Sequence, residues 1–95
     1  MTRKDAYLRQ IEGRMKEWRA DMLKLEARLE QEEGRRAAEL SNRVDELRTR
    51  QREAEAELHR LGEAGEYAWE DLTRGAEAAW EAFRKGIEKA RREFD

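Results

Sequence analysis

Apolar positions in the first third of the chain fall at Leu8, Ile11, Met15, Trp18, Met22, Leu25 and Leu29, in alternating steps of three and four residues. That is the spacing of a heptad seam along one face of an α-helix. The alternation resumes at Ala37, Leu40, Val44, Leu47, Gln51, Ala54, Leu58 and Leu61, with its phase moved by one residue. Either one helix runs through a local relaxation of the supercoil, or the chain turns near Gly34. The neighbouring residues favour continuity. A glycine costs only about 1 kcal/mol inside a helix, and Glu32, Glu33, Arg35 and Arg36 are good helix formers. Glu32 stands four residues before Arg36, a favourable pair, and no Asn, Asp, Ser or Pro marks a turn.

A clearer break follows the last seam leucine, where Gly62 and Gly65 can supply a helix C-cap. Beyond it, Glu63, Glu66, Glu70 and Asp71 gather at the start of a new segment and Arg84, Lys85, Lys89, Arg91 and Arg92 at its end, the order a helix dipole favours. The pattern therefore predicts one long helix over 3–61, a break at 62–65 and a shorter helix over 66–94. Thr2, with Asp5 three residues on, fits an N-cap with a capping-box partner.

The C-terminal segment carries an internal repeat of eleven residues: AWEDLTRGAEA (68–78), AWEAFRKGIEK (79–89) and the partial copy ARREFD (90–95). Eleven residues make almost three helical turns, so equivalent positions stay on one face. Ala68, Gly75, Ala79, Gly86 and Ala90 form a small edge suited to close helix approach. Trp69, Leu72, Trp80, Phe83, Ile87 and Phe94 supply bulk beside it. Glu70/Arg74, Glu81/Lys85 and Glu88/Arg92 are expected as i,i+4 pairs on the solvent side, each worth a few tenths of a kcal/mol.

The expected fold is all-α, a helical hairpin or coiled coil, with a three-helix bundle turning at Gly34 as the alternative. In the hairpin, Phe83 would face Val44 and Ile87 would face Leu40, so the short helix would end halfway along the long one. Leu8, Ile11, Met15, Trp18, Met22, Leu25 and Leu29 would then be an uncovered stripe, and a second copy is its simplest cover, which makes a homodimer the expected state.

Composition narrows the function more than it names it. In 95 residues, 46% are charged, so any core is a narrow seam, and 21 basic against 23 acidic residues give no net field to recruit nucleic acid. Without cysteine there is no thiol nucleophile or zinc-thiolate site. The first ten residues lack the apolar core of a signal peptide and no apolar run exceeds three residues, which points to a cytoplasmic, non-spanning protein. His59 is the single histidine and has no second ligand beside it, so it reads as a solvated or seam-flanking residue. The carboxylates alternate with Arg and Lys at helical spacing, as on a solvated face. No catalytic, cofactor-binding or metal-binding residue is assigned, and no small-molecule substrate is expected. Trp18, Trp69 and Trp80 read as core anchors with their N–H groups at the wet edge. The alternative lays the 68–94 helix on a membrane surface.

The WEDL and AWEAF segments with their spaced glycines, together with RKDAY at the start and EWRADMLKLEA at 17–27, resemble small bacterial coiled-coil stress-response proteins of cyanobacteria and proteobacteria, described as late-embryogenesis-abundant-like. The resemblance implies an abundant, non-catalytic protein linked to stress. The expected role is that of a structural or interaction protein, a stress-associated scaffold or protectant. The alternative is a peripheral protein that binds lipid surfaces through its C-terminal helix, and a partner helix is a further possible target.

Overall fold

The computed structural model describes residues 2–94 and contains three α-helices: α1 (Arg3–Gln31), α2 (Gly34–Glu63) and α3 (Trp69–Phe94). No strand occurs among the described residues. They form an up-down-up bundle. Arg19 reaches Glu55 and Glu26 reaches Arg48 across antiparallel α1 and α2, whereas Tyr7 meets Trp69 and Asp21 meets Arg91 along parallel α1 and α3. The backbone measures 51 × 19 × 18 Å.

Two expectations need correction. The helix predicted over 3–61, a rod of about 88 Å at 1.5 Å per residue, is two helices in a bundle of three. The chain reverses at Glu32 and Glu33, both extended, and Gly34 takes φ 63, the one positive φ among the described residues. A left-handed backbone is what glycine permits and other residues resist. The phase slip between Leu29 and Ala37 is the trace of this turn.

The second break lies at 64–68, slightly beyond the predicted 62–65, and α3 begins at Trp69. Neither Gly62 nor Gly65 provides the expected left-handed cap. Gly62 is the penultimate residue of α2, and Ala64 caps the helix in extended conformation, its N–H donating to Leu61 O. Because the connector takes up these residues, the pairing of α2 with α3 is displaced by more than one turn from the predicted register. Leu47 opposes Gly86, and the Trp80 indole donates to Ala54 O at 3.1 Å.

Helix starts differ in quality. At α1, Thr2 Oγ1 accepts from the Asp5 N–H at 3.1 Å and the Asp5 carboxylate accepts from the Thr2 N–H at 3.3 Å, a complete capping box. At α2, Glu33 makes no side-chain cap.

The core runs the length of the bundle. Ile11, Met15, Trp18, Met22 and Leu25 come from α1, Leu40, Val44, Leu47, Ala54 and Leu61 from α2, and Trp69, Ala76, Trp80, Phe83, Ile87, Ala90 and Phe94 from α3. Each large side chain contributes roughly 1.5–3 kcal/mol by leaving water. No polar or charged residue is buried among those described.

Candidate functional site

Most of the residues singled out by the sequence lie in the interior of the bundle. Of the proposed self-association seam, Ile11, Met15, Trp18, Met22 and Leu25 are buried, and Leu8 and Leu29 are half-buried against the same core. The stripe that a hairpin would leave open is covered by α2 and α3. Trp18 meets the Phe83 ring edge-on at 5.9 Å, an arrangement that favours aromatic pairs beyond their area. Among the described residues, the exposed large apolar side chains are Leu23 and Tyr67, which sit on different elements and form no common patch.

The repeat on α3 divides unexpectedly. Trp69, Trp80, Phe83, Ile87 and Phe94 are buried, and Leu72 and Ala79 are half-buried. The two repeat glycines are not equivalent. A Cβ at Gly86 would lie 2.6 Å from Leu47 Cδ2, so Gly86 marks the close approach of α3 to α2. Gly75 is exposed and a Cβ there would meet nothing within 4 Å, which removes Gly75 and its neighbour Ala68 from the packing edge. The small residues of α3 that are fully buried are Ala76 and Ala90. Phe94 lies under the Arg36 guanidinium at 5.0 Å, a cation–π contact that ties the end of α3 to the start of α2.

Charged residues bind the helices from outside. Arg19 Nε donates to Glu55 at 2.9 Å, Arg43 donates to Glu93 at 3.0 and 3.1 Å, and Arg48 and Arg91 reach Glu26 and Asp21. The hydrogen bond from Arg19 holds the Glu55 carboxyl below its usual pKa, and that from Arg43 does the same for Glu93. On α3 the expected i,i+4 pattern is replaced by Arg84 bridging Glu81 and Glu88 at 2.6 and 2.7 Å.

Tyr7 escaped the sequence reading because it flanks the seam instead of standing on it. Its ring packs on Trp69 and Trp80 at 5.7 and 6.0 Å, and its hydroxyl donates to Glu77 at 2.7 Å. Burial, followed by the hydrogen bond to Glu77 and its charge, pushes the phenol above its ordinary value of 10.0. Lys4 was missed for a similar reason. Its ammonium donates to Gly62 O and Ala64 O across the bundle end, serving carbonyls that α2 leaves open.

Two of the open grooves on the surface are lined in part by buried core side chains. One, about 340 Å³, lies between α2 and α3 and is lined by Arg43, Arg50, Lys85, Gly86 and Lys89. The other, about 350 Å³, lies between α1 and α3, with Tyr7, Arg14, Trp18, Glu77 and Glu81 on its walls. Neither brings a serine or threonine hydroxyl to a base, and the Tyr7 hydroxyl in the second is held by Glu77. The Thr73 hydroxyl donates to Trp69 O at 2.7 Å, and that of Thr49 to Asp45 O at 3.4 Å, each within its own helix. His59 stands exposed with Glu63 at 3.1 Å. Among the described residues no group of His, Cys, Asp and Glu has the arrangement of a metal site, and no helix is long and apolar enough to cross a membrane.

No family model, curated protein or solved structure matches the chain. The architecture therefore carries the functional reading by itself.

Proposed function

We propose that this chain is a non-catalytic structural and interaction protein, acting in the cytoplasm as a stress-associated scaffold or protectant through its hydrated, charge-balanced surface. The observation that supports this reading is the set of solvated ion pairs joining all three helices: Arg19 with Glu55, Arg48 with Glu26, Arg43 with Glu93 and Arg91 with Asp21. A surface in which both signs alternate has no long-range field, yet it offers weak contacts to charges of either sign and holds a dense water shell. Exposed pairs of this kind add little stability individually, so so many charges are better accounted for by what the surface does in solution.

The test is protection of a labile enzyme through freezing and drying. The bundle is expected to preserve more activity than an equal mass of albumin, and equal or poorer preservation would remove the protectant role. The lipid-surface alternative draws support from the sharp segregation of apolar and charged residues on α3. It requires Trp69, Trp80, Phe83, Ile87 and Phe94 to leave the core, at the cost of their burial. Flotation with anionic vesicles separates the readings: the closed bundle should stay with the soluble fraction, and co-flotation with blue-shifted tryptophan emission would favour the lipid role.

A further inference from the structure

The turn between α1 and α2 is opposed by the residues that form it. Helix C-termini favour cations and N-termini favour anions, yet Glu30, Glu32 and Glu33 outnumber Arg28 at the end of α1 while Arg35 and Arg36 open α2. The first turn of α2 holds no acidic residue, and its N-cap makes no side-chain hydrogen bond. The first N–H groups of α2 therefore lack the partners that Thr2 and Asp5 give those of α1. In a continuous helix every one of these faults disappears. The orphan N–H groups find carbonyls one turn back, and Glu32 and Glu33 fall three and four residues before arginines or alanines, in the favourable order. Part of that ladder already spans the turn. Glu32, half-buried, accepts from Arg28 at 2.9 Å and lies 3.4 Å from Arg36. What closes the turn is the burial of α1 on the other two helices, reinforced by Arg36 on the Phe94 ring.

From this we infer that α1 is an exchangeable arm. When the turn at 32–34 straightens, α1 and α2 become one helix over 3–63, and the core face of α1 is received by α2 and α3 of a second copy of this chain, which returns its own α1. The partner is fixed by the surface itself: Ile11, Met15, Trp18, Met22 and Leu25 fit the groove that they fill in the monomer, and that groove exists on another copy. Each contact of the closed bundle is remade between chains, and the difference between the two states is confined to the turns. The interaction does not depend on the proposed protectant role.

The experiment follows mass and connectivity together. Gly34→Ala favours the straight helix and penalises the left-handed turn, so its dimer association constant, read by light scattering after incubation at millimolar concentration and mild heat, should exceed that of the unaltered chain by roughly tenfold or more. Connectivity is read with Arg19→Cys and Glu55→Cys in one chain, which otherwise has no cysteine. These positions face each other across α1 and α2, and a short bis-maleimide should join them within one chain in the monomer fraction and between chains in the dimer fraction. Dimers whose cross-links stay within one chain would be closed bundles stuck side by side and would overturn the proposal. So would a Gly34→Ala protein that folds and remains monomeric. Should Gly34→Ala fail to fold, the cross-link pattern of the dimers formed by the double-cysteine chain with Gly34 intact decides the question, and absence of any such dimer at millimolar concentration counts against exchange.

Discussion

The connection from α2 to α3 places Arg60 and Glu63 in the last turn of the outgoing helix and Glu70 and Asp71 in the first turn of the incoming one, whereas the turn from α1 to α2 places Arg28 and Glu30 in the last turn of the outgoing helix, Glu32 and Glu33 between the helices and Arg35 and Arg36 at the incoming end. The two outgoing ends carry one base and one acid each, so the contrast lies at the incoming ends: the start of α3 complements its helix dipole and the start of α2 opposes its own. Hydrogen bonding follows the same division. Lys4 serves carbonyls at the end of α2, and the Ala68 and Trp69 N–H groups donate to Gly65 O at 3.1 and 3.2 Å. At the first turn the Ala37 N–H reaches Glu33 O at 3.4 Å, and no side chain caps α2. One connection is thus encoded locally. The other is imposed from a distance by the core.

Magnitudes show why the core prevails. Five buried side chains of α1, at roughly 1.5–3 kcal/mol each, outweigh the roughly 1 kcal/mol for an absent cap and the smaller cost of misplaced charges. The largest expected effect therefore comes from weakening the packing that holds α1 down. Phe83→Ala removes the fully buried ring on which Trp18 rests and should cost about 3–5 kcal/mol in denaturant unfolding. Amide exchange in that variant should rise first at residues flanking the first turn. A loss below about 1 kcal/mol would mean that this aromatic contact does not close the bundle.

The two turn glycines sharpen the comparison at the next level. Gly34→Ala should destabilise the closed monomer by about 1–2 kcal/mol, since alanine resists φ 63. Gly65→Ala meets open space at ordinary φ and should lie within about 0.5 kcal/mol of the parent. Melting curves of the two at low concentration give the difference, and equal losses would erase the distinction drawn between the turns.

Charge reversals should act with opposite signs. Arg35→Glu places an acid at the start of α2 and is expected to stabilise by about 0.5 kcal/mol at low ionic strength, while Glu70→Lys is expected to destabilise by a similar amount. Both effects should shrink in high salt, and salt-independent changes would exclude the dipole as their cause.

The smallest effects concern pH. The folded-state values of Asp5, Glu55 and Glu93 are depressed, so their contributions are present above the ordinary values of 3.8 and 4.5 and are lost as pH falls below them. Tyr7 is raised, so its contribution is complete below 10.0 and is lost as pH climbs beyond that value. Unfolding free energy should accordingly decline on the acid side below about pH 4.5, where Glu55→Gln should flatten the slope, and on the alkaline side above pH 10.0, where Tyr7→Phe should flatten it. An unchanged slope in either variant would mean that the group is not linked to folding.

This division also explains what the sequence disclosed. The helical class, the capping box at Thr2 and Asp5, and the inward faces of α1 and α3 follow from local chemistry and periodicity. The turn at Gly34 does not, because propensity and charge pairing at 30–36 argue for a straight helix and only tertiary burial overrides them. The slip of one residue between Leu29 and Ala37, and Gly34 within it, were the local signs of the turn. Gly75 and Gly86 occupy equivalent repeat positions, yet they separate because the displaced α2–α3 register sets Leu47 against one of them alone.

The central claim is that a continuous helical pattern is folded back at 32–34 by the core. Small-angle scattering of the monomer as it elutes from a sizing column tests it most directly. A closed bundle gives a radius of gyration slightly above the 15.3 Å of its backbone and, with the side-chain and hydration shell added, a longest dimension somewhat beyond the backbone's 51 Å. A monomer extending to about 92 Å, the length of a helix over 3–63 at 1.5 Å per residue, would contradict the account.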